Sequence, residues 1–164
     1  MTISCAIITI SDTRTSKTDE SGQLLDDRIN AAGHNVEGRY FSTDDIAAIQ
    51  EKLVSLIEND TVDVVITTGG TGITKRDITP EAIGPLASKH IPGFGELFRM
   101  LSYRDIGTST IQSRADAWLC DSTLVFALPG SPNAICLAWD EILAHQLNSE
   151  YRPCNFVQLL PRIK

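Results

Sequence analysis

Three short stretches of this 164-residue chain carry residue types that suit phosphate chemistry. The richest reads TTGGTGITKRDITPEA, residues 67–82. Its glycines, Gly69, Gly70 and Gly72, let backbone N–H groups approach an anion with no Cβ in the way. Lys75 and Arg76 add positive charge, and Asp77 follows them. Two familiar phosphate patterns are missing: GxxxxGK[ST] has no match, and GxGxxG fails because Lys75 stands where its last glycine belongs. The competing reading is a glycine-rich strand-to-helix turn that binds nothing. Asp44 follows a separate apolar run, and carboxylates from two strand ends can converge on one Mg²⁺, which takes oxygen ligands and keeps waters and phosphates. Asp44 reads equally as a helix cap. Asp45 would cap as well, so residue types do not choose between them.

The third stretch is PGSPNA, residues 129–134, a loop leading into a helix start with Ser131 as cap and Pro132 at the first helical position. A helix N-terminus suits an anion or nucleotide, although plain helix-start chemistry explains the same residues. Arg114, next to Ser113, could grip a phosphate through two parallel hydrogen bonds, or make an ordinary surface ion pair. The cysteines (Cys5, Cys120, Cys136, Cys154) and histidines (His34, His90, His145) are scattered without zinc-ligand spacing. Reduced, buried thiols are expected, with no zinc or haem, and any metal should be a hard ion held by oxygen.

The elements that must position these residues alternate. Residues 3–10 and 62–67 are β-branched, nearly continuous apolar runs, as expected of strands buried on both faces. Residues 36–41 read as another strand, and 115–119 and 123–128 as two more around a tight turn at 120–122. Helical spacing marks 20–32, with Gly33 suited to follow its end, and the segments carrying Ile46, Ile49, Leu53 and Leu56, or Phe94, Leu97, Phe98 and Leu101. Thr79-Pro80-Glu81 reads as a helix start capped by Thr79, and a last helix should run from Pro132 to about Asn148. Trp118 and Trp139 are expected in the core. The helix bearing Phe94, Phe98 and Met100 should pack on the core, or against a second subunit. Residues 151–164 look irregular and surface-bound. The alternation predicts an α/β three-layer sandwich, with a mostly parallel central sheet and helices on both faces. Ligands of such sheets bind beyond the strands' C-terminal ends, which selects Ser11–Gly22, Asp44 with Gly69–Asp77, and Pro129–Asn133.

Composition sets the outer bounds. Hydrophobic residues make up 42% and charged residues 21%, an ordinary globular balance that needs no disulfide or metal to fold. Twenty-one acidic against 14 basic residues give a net charge of -7, which argues against nucleic acid as a partner. No apolar stretch is long enough for a membrane span, and the first apolar run lacks the positive flank of a signal peptide, so a cytoplasmic location is expected.

Taken together, GGTGITKRDITPEA, SDTRTSKTDESG, GFGELFRMLS, QSRA and LPGSPNA are recognisable. In collinear order over essentially the whole chain, they resemble the MogA/MoaB family of molybdenum cofactor biosynthesis, which includes the N-terminal domain of gephyrin. GFGELFRMLS, IGTSTIQSRA and RPCNF look most like the MoaB branch. The resemblance implies one molybdopterin-binding domain over residues 1–164. It also implies transfer of AMP from Mg-ATP to the terminal phosphate of molybdopterin, with release of pyrophosphate. Asp44 and Asp77 would be catalytic and hold Mg²⁺; Gly69, Gly70 and Gly72 would line the nucleotide phosphates. Thr71, Ser102 and Ser113, with Arg114, would meet molybdopterin, while Gly130, Ser131 and Asn133 would lie near adenosine. The loop departs from many relatives in reading PGSP rather than PGNP, from which a tuning effect is expected. The family implies a homotrimer or homohexamer and contact with other enzymes of the pathway. Two readings from other classes compete: a molybdopterin- or nucleotide-binding protein that makes no product, and an assembly module of the gephyrin kind.

Overall fold

The computed structural model describes residues 1–163. Six strands form one sheet: β1 (Ser4–Ile10), β2 (Asn35–Ser42), β3 (Val64–Thr68), β4 (Lys89–His90), β5 (Asp116–Cys120) and β6 (Thr123–Leu128), in spatial order β2-β1-β3-β6-β5-β4. The pairs β1·β2, β1·β3 and β3·β6 are parallel; β5 runs antiparallel to β6, and β4 antiparallel to β5. The two-residue turn at Asp121 and Ser122 fixes that reversal, with Asp121 at φ 51°. Around the sheet lie α1 (Glu20–Ala31), α2 (Ile46–Ile57), α3 (Thr79–Ile83), α4 (Pro92–Ile106), α5 (Pro132–Ala138), α6 (Ala144–Gln146) and α7 (Leu160–Ile163), with a π turn over Trp139–Leu143 joining α5 to α6.

Strand alternation splits the core in two. Cys5, Ile7, Val64, Ile66, Leu124 and Phe126 point to the layer holding α1, α4 and α5. Ala6, Ile8, Val65 and Val125 point to the layer of α2 and α3, where Ile49, Leu53, Leu56 and Ile83 meet them. Period-two alternation of buried apolar residues on both faces is what a central parallel strand requires. The expected three-layer α/β sandwich is therefore the observed one.

Four expectations need correction. Residues 89–90 form an edge strand that two residues are too few to signal. The tail is not merely laid on the surface: Asn155, Val157 and Leu160 are buried, the last two in the α1/α4/α5 core, and α7 follows. Lys164 lies outside the described residues. The thiols are not uniformly buried; Cys5 and Cys120 are, Cys136 is half-buried and Cys154 is exposed. Met100 points to solvent, while Phe94, Phe98, Trp118 and Trp139 are core.

Candidate functional site

The exits of β1, β2, β3 and β6 are tied into one rim by hydrogen bonds between loops. Ser11 N–H donates to the Ser42 carbonyl at 2.9 Å, and Gly69 N–H to the Leu128 carbonyl at 2.9 Å. The Ser21 hydroxyl reaches across to the Gly130 carbonyl at 2.8 Å. Between them opens a cavity of about 400 Å³ lined by Ser11, Arg14, Asp19, Ser21, Gly69, Gly130 and Ser131 among others. Its position, beyond the C-terminal ends of parallel strands, is where open α/β sheets bind ligands.

The glycine turn owes its shape to two residues at positive φ, Gly69 at 106° and Gly70 at 66°. A Cβ at Gly69 would stand 2.4 Å from the Ile10 carbonyl oxygen, and one at Gly70 would stand 2.4 Å from the Thr79 hydroxyl. Thr79 is not the cap of α3. It is fully buried within the helix's first turn, and its hydroxyl and N–H donate to the carbonyls of Gly69 (2.8 Å) and Gly70 (3.0 Å). Its side chain is spent on holding the turn, so none is left for capping.

Asp45 caps α2 by accepting from Ala48 N–H at 2.9 Å. That leaves Asp44 free for other work. Its N–H donates to Asp12 Oδ1 at 3.0 Å, and its Oδ2 accepts from Arg76 at 2.9 Å. The same Arg76 nitrogen donates to Asp12 Oδ2 at 2.7 Å. The hydrogen bond to Asp44, with the nearby charges of both carboxylates, raises the Arg76 pKa. Asp77, the next residue, has other partners: its Oδ2 accepts from the Thr74 N–H at 2.8 Å and hydroxyl at 2.7 Å. Partial burial pushes the Asp77 carboxyl up, but the bonds from Thr74 and Gly72 and the charge of Arg114 outweigh it, and its pKa falls below the usual value. Asp44 and Asp77 thus stand on the same side of the sheet, held by different partners.

No group of three or more His, Cys, Asp or Glu side chains among the described residues is placed to hold a metal ion. The donors at the rim are carboxylate oxygens. They fit Mg²⁺, which uses one or two carboxylates and completes its shell with water and substrate phosphates.

Arg114 braces the turn from the other side. Its N–H donates to the Thr71 carbonyl at 2.8 Å. Its guanidinium donates to the carbonyls of Gly72 (2.7 Å) and Asp77 (2.6 Å) and to the Glu81 carboxylate, whose pKa that bond lowers. Ser113 and Arg114 line a second cavity of about 400 Å³, with His90, Arg99, Asp116 and Trp118. Thr71 is buried in the turn. Ser131 caps α5, accepting from Ala134 N–H at 3.3 Å, and Asn133 is exposed beside it. Ser102 is buried on α4, outside the linings of both cavities.

Three features escaped the sequence reading. Asp19 caps α1 and is buried at the first cavity, accepting from Thr9 (2.8 Å), Gly22 N–H (2.9 Å) and Arg39 (3.0 Å). Its place just before a helical run was the available signal. Asp12 sits at a strand exit as Asp44 does. His90 pairs with Asp116 at 2.6 Å and stacks on Trp118, a cluster that no local pattern announces.

Fold and rim define a class: a three-layer α/β domain with a candidate ligand site across the ends of the parallel strands. Residues 6–149 match the family model described as a probable molybdopterin binding domain. The chain is 47% identical over 151 residues to molybdenum cofactor biosynthesis protein B of Escherichia coli (strain K12), covering 92% of this chain and 89% of that one. It is 48% identical over 146 residues to the Bacillus cereus protein of the same name, covering 88% and 86%. A crystal structure of molybdenum cofactor biosynthesis protein B superposes with a TM-score of 0.87 at 47% identity, covering 90% of this chain and 92% of that one. The tungsten cofactor synthesizing protein MoaB from Pyrococcus furiosus does so at 0.78 and 33%, covering 99% and 97%. The chain belongs to the MogA/MoaB family of molybdenum cofactor biosynthesis proteins, and its high-identity relatives carry the MoaB name.

Proposed function

We propose that the protein acts in molybdenum cofactor biosynthesis, binding molybdopterin and transferring AMP to it from Mg-ATP. A terminal phosphate oxygen of molybdopterin attacks the α-phosphorus of ATP, the bond to the β-phosphate oxygen breaks, and pyrophosphate leaves. Such a reaction asks for positioning and charge neutralisation, not a protein nucleophile. Mg²⁺, when bound, would neutralise the triphosphate. Asp44 and Asp77 would hold it, with Gly69, Gly70 and Gly72 along the phosphates and Gly130, Ser131 and Asn133 toward the adenosine. Molybdopterin would meet Thr71, Ser102 and Ser113.

The observation that carries this reading is the release of Asp44 from capping duty. Asp45 closes the helix, and Asp44 faces the loop that presents Arg76 and Asp77. Arg114 supports the site differently from the phosphate grip first expected. Its side chain is committed to Gly72, Asp77 and Glu81, so it acts by positioning the glycine turn.

The test is a mass-spectrometric assay of the purified protein with molybdopterin, ATP and Mg²⁺. Adenylylated molybdopterin is the expected product. Asp77→Asn should keep the fold and molybdopterin binding and lose most turnover; equal rates in variant and parent would sink the assignment. Binding of both substrates with no product would establish a binding protein instead. We also infer self-association as a trimer or hexamer. Leu97, Met100, Tyr103 and Ile106 recur every third residue along α4 and are all exposed, with exposed Ile111 just beyond.

A further inference from the structure

Arg76 occupies an unusual place at the rim. Its side chain is 64% exposed, yet one nitrogen serves two carboxylates from separate strand exits, Asp12 Oδ2 at 2.7 Å and Asp44 Oδ2 at 2.9 Å. Asp44 is the fixed part, whereas the Asp12 side chain is 44% exposed. Asp44 is only 11% exposed, and its N–H is bonded to the other Asp12 oxygen at 3.0 Å. Arg76 arrives from the exposed end of the glycine turn, where Ile73, Thr74 and Lys75 are also exposed. A positive nitrogen between two carboxylate oxygens fills the electrostatic role that a divalent cation would fill with the same oxygens. The two cations are therefore competitors. An exposed arginine ion pair is weak and readily exchanged. A guanidinium released at this point would lie on the loop assigned to the triphosphate, and its planar fork matches phosphate oxygens.

We propose that Arg76 is a resident counter-cation: a divalent metal ion displaces it from Asp12 and Asp44, and the freed guanidinium then grips the nucleotide phosphates. The proposal rests on the metal–nucleotide reading of this site given above, takes Asp44 from it as a ligand, adds Asp12 as a ligand beside it, and adds the regulation of the site. Arg76 offsets part of the carboxylates' charge until metal and nucleotide arrive, so the two ligands bind cooperatively. It also acts in opposite directions on the two ligands taken singly, opposing the metal and favouring the nucleotide. An arginine that merely braced the loop would move both affinities the same way.

Calorimetric titrations of the full chain with Mn²⁺ alone, metal-free ATP, and ATP in the presence of Mn²⁺ test this in the parent, Arg76→Gln and Arg76→Lys. Arg76→Gln should bind Mn²⁺ alone on the order of tenfold more tightly, because a competing unit charge is gone. It should bind metal-free ATP several-fold more weakly and lose most of the coupling between the two. Arg76→Lys, which keeps the charge without the fork, should shift less in the same directions and serves if the glutamine variant fails to fold. Mn²⁺ affinity that is unchanged or weaker in Arg76→Gln overturns the proposal, as does absence of Mn²⁺ binding in both proteins. None of these titrations depends on product formation. A negative product assay with positive titrations would remove the transferase reading and leave the counter-cation in place.

Discussion

Asp44 and Asp45 are adjacent residues of one type, and a single hydrogen bond divides their roles. Asp45→Ala should lower stability by about 1 kcal/mol through the lost cap, seen as a lower urea midpoint, with product formation nearly intact. Asp44→Asn should do the reverse, changing stability by less than about 1 kcal/mol, since an ion pair with a solvent-exposed arginine contributes little, while abolishing product. Asp77 adds a pH dependence. Its folded pKa lies below its ordinary value of 3.8, so the stabilisation it provides is complete above that value and is lost as pH falls through the lowered one. Urea midpoints between about pH 5 and pH 2 should therefore drop less steeply in Asp77→Asn than in the parent. The thiols differ in the same environment-driven way. Burial first, then the charge of Asp63, pushes the Cys5 thiol up to about 12, and burial pushes that of Cys120 up to about 11. A thiol reagent at neutral pH should label exposed Cys154 quickly and leave Cys5 and Cys120 untouched until the chain unfolds.

At the scale of elements, the glycine turn between β3 and α3 is the structure on which the site depends. It is held from below by Thr79 and from the side by Arg114. Gly69→Ala should destabilise the fold by about 1–3 kcal/mol or more, since a Cβ at φ 106° meets the Ile10 carbonyl as well as paying for the backbone conformation. Thr79→Val, which keeps shape and loses the hydroxyl, should cost about 1–2 kcal/mol and weaken ATP binding by loosening the turn. Thermal unfolding with a nucleotide titration checks both. The elements that could be read beforehand were those with a long periodic pattern, such as β1, β3 and α2. Lys89–His90 could not, because its strand character comes from pairing with Trp118 and Leu119 rather than from its own residues. The tail is another such case, as Val157 and Leu160 are anchored by a distant core that the tail's own sequence does not reveal.

For the whole molecule, the exposed apolar stripe on α4 is the surface on which the self-association reading rests. Sedimentation equilibrium should show a trimer or hexamer at micromolar concentration. Met100→Glu with Ile111→Glu should shift the population to smaller species, because a charge must be desolvated in a buried contact. A monomeric parent protein would refute the self-association reading. Among the described residues no helix is long and apolar enough to cross a membrane.

Sequence by itself determined the layered fold and the strand-exit loops that form its rim, because both follow from local quantities: periodic burial along strands and helices, and glycine, proline and acid placed at their ends. It also carried the family likeness. Only the tertiary structure decided which of two neighbouring aspartates caps a helix, that Thr79 and Arg114 hold the glycine turn, and that Asp12 joins Asp44 around Arg76. Those assignments depend on distances between groups tens of residues apart, and a side chain's partner is set by where the packed elements bring it, not by the residues next to it in the chain.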